Sequence, residues 1–182
     1  MKRINLKNFS LFLIILLPFA IILGQAPSDI IVSSVSILFL TNSIIHKDWS
    51  WLKIKWIKIV FLLWLYLIFA SFFSLDKEIS FSHSILFVRF FIFAVALEYW
   101  VLSEKRNLNY VLYSLGLAFL IVSLDTFYQF LNFDLSKGYG PDFFGFYSND
   151  HFRLTGPFRS NIPGAYLSKF FFIVFLFTII KL

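Results

Sequence analysis

Cysteine is absent from this 182-residue chain, which rules out disulfide bridges, thiolate metal sites and thiol nucleophiles. Charge is scarce: Asp, Glu, Lys and Arg together make up 14% of the residues. There is no glycine-rich phosphate loop, no internal repeat and no low-complexity tract. The inverted repeat of many secondary transporters is not visible either. What remains is apolar, with 59% hydrophobic and 22% aromatic residues, 27 of them phenylalanine. A soluble domain of this length leaves too large a share of its surface in water to hide that much apolar area. A bilayer is the solvent that accepts it.

Six apolar runs, each roughly 15 to 24 residues long and set apart by short polar breaks, fit membrane-spanning helices. They fall at 9–23, 30–45, 56–73, 79–102, 110–130 and 164–180. The first two are short for a hydrocarbon core of about 30 Å. The basic start "MKRINLKN" followed by an apolar stretch has the outline of a signal peptide, but no A-x-A pattern follows Gly24. It reads as an uncleaved first helix. The fold class is therefore all-α: a polytopic membrane helix bundle of about six spans, forming one transmembrane domain over 1–182.

The net charge of +6 raises the possibility of nucleic acid, but the cations sit in the breaks between apolar runs, where they set topology. Lys2, Arg3 and Lys7 precede the first run; Lys47, Lys53, Lys55 and Lys58 lie between the second and third; Lys105 and Arg106 lie between the fourth and fifth. With alternating spans all of these share one side, while the other has Lys77, Lys137, Arg153 and Arg159 and more acids: Asp29, Asp76, Glu78, Asp134, Asp142 and Asp150. The positive-inside rule then puts the N-terminus in the cytoplasm. Trp49, Trp51, Trp56 and Trp100 gather at that same interface, as amphipathic rings do. The long connection, 131–163, faces outward. It is rich in Phe, Tyr, Gly and Asp, whereas disordered segments are poor in aromatics. It is expected to pack on the membrane surface or over the bundle.

Arg89, Asp125 and Lys169 fall within the spans on their outer halves, while Lys58 and Glu98 lie near the cytoplasmic ends of theirs. A charge at such depth is costly unless it is paired or faces a polar cavity. The simplest structural expectation is a buried Arg89–Asp125 pair; the functional one is a polar pocket opening outward beneath the loop. Gln129 shares a helix face with Asp125, four residues away. In the loop, Arg153 and Arg159 flank a Gly156–Pro157 turn. Guanidinium forks match phosphate oxygens bidentately, so both arginines are candidate anion ligands, or else headgroup-level anchors. Asn161 is placed to cap the last helix. His46, His83 and His151 are isolated, and the spacing of Asp134, Asp142 and Asp150 matches no calcium loop, so these acids read as solvated and no metal is expected.

The stretch "SLDTFYQFLNFDLSKG", followed by "FRLTGPFRSNIPGAYLSKF", resembles the O-antigen ligase and polymerase family of bacterial envelope proteins. The resemblance is carried by Asp125, Tyr128, Gln129, Asp134, Leu135, Arg153, Leu154, Thr155, Gly156, Phe158, Asn161, Gly164, Tyr166 and Leu167, within 123–170. It implies a cofactor-free and metal-independent glycan transferase of the bacterial inner membrane. Such a protein moves a polysaccharide from a polyprenyl diphosphate carrier to lipid A–core or to a growing glycan. It further implies that Arg153, with Arg159 and Arg89 as weaker partners, binds the diphosphate, and that Asp125, Gln129 and Asn161 support them. Members of the family carry more spans and a second outward loop with further catalytic residues, so the chain is expected to be either the N-terminal part of a longer protein or a truncated gene product without its own activity, and no base is assignable. The alternative is a non-catalytic multipass protein whose outward loop docks a lipid or a partner.

Overall fold

The computed structural model describes residues 6–138, 140–147, 152–158 and 163–181. Among them are seven α-helices: α1 (Leu6–Leu23), α2 (Gln25–His46), α3 (Lys55–Ser71), α4 (Lys77–Leu86), α5 (Val88–Val95), α6 (Lys105–Leu131) and α7 (Pro163–Lys181). A 3₁₀ turn, Ser50–Lys53, precedes α3, and a π-helical turn, Ala96–Val101, extends α5. An antiparallel β bridge pairs Pro141 with Tyr147.

Among the described residues four helical segments are long and apolar enough to cross a membrane: α1 with 18 residues, α2 with 22, the run Lys77–Val101 with 25, and α6 with 27. A crossing takes roughly 20 residues. The first two are longer than the apolar runs suggested, because Leu6–Asn8 and the polar turn Gln25–Asp29 continue the helices. Gly24, at φ +136°, is the one non-helical residue between them. The surface is that of a protein solvated by lipid. Ile59, Leu62, Phe69, Phe73 and Leu124 stand exposed, while Ser36, Ser43, Ser71, Asn107 and Ser114 are buried. Buried hydroxyls let helices approach closely and donate across them.

The chain forms two compact units. The first comprises Met1–Ile14 and Ala26–Leu108. Phe39 and Val35 lie at its centre, with Phe39 stacked obliquely on Trp51 and Trp100 at 5.5 and 5.8 Å between ring centroids. Trp49 joins the group through Trp51 at 5.9 Å, so three of the four tryptophans expected to gather do so. The expected fourth run is a broken helix. α4 ends at Leu86, and the Phe90 N–H donates back only three residues, to the Phe87 carbonyl, at 3.0 Å. Backbone carbonyls around the break are taken by side chains of neighbouring helices. Ser36 donates to the Arg89 carbonyl at 2.9 Å, Trp64 to that of Ser84 at 2.9 Å, and Ser71 to that of Ser80 at 3.2 Å. An irregular stretch at membrane depth persists only where such donors re-satisfy it.

The second unit comprises Ile15–Gln25 and Asn109–Leu182. Val122, Phe158 and Tyr166 form its core, with Ile21, Ile22, Leu167 and Phe170 packed against them. Pro18 lies inside α1 and contributes no N–H to the helix ladder. Two carbonyls in this stretch bond outward instead: Ser114 donates to Ile15 at 2.5 Å and Tyr166 to Pro18 at 2.9 Å. These two bonds tie α6 and α7 to the second half of α1.

Candidate functional site: a loop cap held by the end of α6

The site is built on the last two turns of α6. Gln129 is fully buried, and its amide works in both directions. Its Oε1 accepts from the backbone N–H groups of Thr155 and Gly156, both at 2.8 Å. Its Nε2 donates to the Gly140 carbonyl at 3.2 Å and to the Thr155 hydroxyl at 3.5 Å. One side chain thus clamps two parts of the loop that lie 15 residues apart. Gly156, at φ +53°, can only be glycine without cost: a Cβ there would fall 2.5 Å from Thr126 Oγ1. It opens the turn closed by Phe158 N–H to the Thr155 carbonyl at 3.0 Å, the turn the Gly–Pro pair announces. Phe158 then enters the core against Tyr166, 5.4 Å between ring centroids.

Asp125 lies one turn before Gln129. Its Oδ1 accepts from Phe143 N–H at 2.9 Å, in a small hairpin over the helix end. Asp142 builds that hairpin: its Oδ1 accepts from Phe146 N–H at 2.7 Å, and its own N–H donates to the Phe146 carbonyl at 2.9 Å. Asp142 is 2% exposed, so it is not the solvated residue expected from sequence; the hairpin folds it inward. The remaining oxygens, Asp125 Oδ2 and Asp142 Oδ2, are buried without a hydrogen-bond partner. Asp134 is solvated as expected and forms a side-chain turn with Ser136, whose hydroxyl and N–H hold its carboxyl below the usual carboxylate range. Lys137 lies 3.3 Å from it. Among the described residues no group of three or more His, Asp or Glu side chains gathers to hold a metal ion.

The expected Arg89–Asp125 pair is not formed. Arg89 Nη2 bonds Asp29 Oδ2 at 2.8 Å, within the first unit, and its guanidinium carbon lies 4.9 Å from the centre of the Phe90 ring. Asp29 stands one turn into α2, in the same compact unit as Arg89. Asp125 is committed to the loop. Sequence reasoning misses the Arg89–Asp29 pairing because Asp29 reads as part of the polar break before the second apolar run. Arg153 is exposed and sits two residues before the clamped Thr155. Arg159, Asn161 and His151 lie outside the described residues.

Fold and site together define a class: a helical, membrane-embedded protein whose one long connection is folded into a cap by buried polar side chains of α6. No family model, curated protein or solved structure matches the chain.

Proposed function

We propose that this chain is a bacterial inner-membrane glycan transferase of the O-antigen ligase or polymerase kind, or the part of one that recognises the lipid carrier. In this reading α1, α2, α3, the broken α4–α5 helix, α6 and α7 are six spans, with the N-terminus cytoplasmic and the cap outward. Arg153 binds the diphosphate of a polyprenyl-linked polysaccharide, and lipid A–core or a growing glycan accepts it. Stabilising charge on a departing diphosphate is electrostatic catalysis, and a preorganised guanidinium suits it. The observation that carries the reading is the Gln129 clamp. The motif residues Gln129, Thr155, Gly156, Phe158 and Tyr166, scattered through the sequence, meet in one packed unit. That unit holds Arg153 on a fixed backbone and leaves its side chain exposed.

The test is Arg153→Lys in the full gene, in its own cell, with surface polysaccharide read by gel. A point charge replaces the fork, so polysaccharide transfer is expected to fail while protein level in the membrane stays normal. Normal polysaccharide with the lysine variant would overturn the catalytic role. The exposed Phe143, Phe144 and Phe152 favour a second reading, a non-catalytic protein whose loop docks a lipid or partner. Replacing those rings with serine while Arg153→Lys is tolerated would separate the two.

A further inference from the structure

A second site lies in the first unit. α2, the 3₁₀ turn, α3 and α5 enclose a cavity of about 510 Å³. Its walls are almost wholly apolar, with Leu40, Trp56, Phe61, Phe91 and Ile92 among them. Lys58 is the one charged residue in the lining.

The surroundings are cationic. Lys47, Lys53, Lys55 and Lys58 fall within 12 residues, and all four are exposed. None of them forms an ion pair among the described residues, where the pairs are Lys7–Glu104, Arg89–Asp29 and Lys137–Asp134. The acid nearest in sequence, Asp48, is occupied by Ser50 and Tyr99. An apolar cavity with a cluster of unpaired cations beside it describes an amphiphile. The cavity takes a hydrocarbon tail, and the lysines take an anionic headgroup. Basic clusters beside membrane helices draw anionic lipid in this way.

We infer that the cavity walled by α2, α3 and α5 is a binding site for one acyl chain of an anionic phospholipid, with Lys53, Lys55 and Lys58 holding its phosphate. The site is independent of the cap and of the glycan reading. The probes are phosphatidylglycerol and phosphatidylcholine with identical acyl chains, added to the full chain in neutral detergent and followed by native mass spectrometry. Phosphatidylglycerol is expected to be retained about tenfold better. The triple variant K53Q/K55Q/K58Q should lose that preference and bind both lipids alike. Equal retention of the two lipids by the unaltered chain would mean ordinary annular lipid and would overturn the proposal. Displacement of phosphatidylglycerol by excess glycerol 3-phosphate would also overturn it, since a phosphate site without the tail would then suffice. The three lysines are exposed, so their replacement leaves the packing alone, and matching helical content by circular dichroism confirms that the variant is folded.

Discussion

Gln129 is the side chain on which the cap depends. Gln129→Ala leaves the buried N–H groups of Thr155 and Gly156 without an acceptor, a loss on the order of 2–4 kcal/mol. The midpoint of heat-induced loss of the monodisperse detergent peak should fall, and protease should cut within 134–158 more readily. Unchanged cleavage there would mean that the clamp does not hold the loop. Gly156→Ala should destabilise for two separable reasons, the left-handed φ of +53° and the 2.5 Å approach to Thr126 Oγ1. Adding Thr126→Ala should recover the steric part and leave roughly 1 kcal/mol of backbone strain. Full recovery, or none, would contradict that division. Asp134 gives the turn at the end of α6 a pH dependence. Ser136 holds its carboxyl below the usual value of 3.8. A lowered folded value means the stabilisation is complete above 3.8 and is lost as the pH falls through the lowered value. Cleavage near Asp134 should therefore rise on acidification below that point in the parent, and an Asp134→Asn variant should show a weaker rise. At this scale the sequence was informative where a motif named side chains with one available job. It misplaced Asp142, because burial of a loop acid depends on a hairpin formed by backbone bonds, which leave no mark in composition.

The broken helix Lys77–Val101 is the element that most departs from its sequence pattern. Its apolar run is continuous, so hydropathy predicts one uninterrupted span. No proline or glycine marks the break at Phe87. The helix breaks because partners on α2 and α3, Ser36, Trp64 and Ser71, take carbonyls around it, and those tertiary contacts cannot be read from the run itself. Arg89 follows the break and joins this element to α2 through Asp29. Both side chains are about a third exposed in the protein alone, so the pair is neither a surface bridge nor a sealed one. Its value shows in a mutant cycle. Arg89→Met and Asp29→Leu should each lower thermal stability in detergent, because each strands a charge at membrane depth. The double variant strands none and should regain most of the loss. Additive losses would show that the two charges do not depend on one another.

Across the whole molecule, the balance of polar and apolar groups is inverted relative to a water-soluble bundle. Large apolar side chains face outward and serines, Asn107, Asp125 and Gln129 face inward. Composition alone demanded this, since 59% hydrophobic residues cannot be buried in a chain of 182. The lengths of four helices agree with it. What composition could not supply is which polar residues become interior fasteners, because a serine reads the same at a lipid face and at a helix contact. Topology is the next inference, and it rests on charge. Lys47, Lys53, Lys55, Lys58, Lys105 and Arg106 gather at alternate breaks, as the positive-inside rule places cytoplasmic segments. Six crossings with the N-terminus inside then put Lys137 outside and Lys53 and Arg106 inside. Alkaline phosphatase, which is active only outside the cytoplasmic membrane, gives the readout. A fusion after Lys137 should be active, and fusions after Lys53 and after Arg106 should be inactive. α3, at 17 residues, is the segment whose crossing is most demanding. A fusion after Asp76 decides it: activity there means that α3 spans, and inactivity means that α3 lies along the interface. In the inactive case the cap and Arg153 would turn to the cytoplasmic side, away from any outer-leaflet diphosphate, and the glycan-transfer reading would fall with the topology.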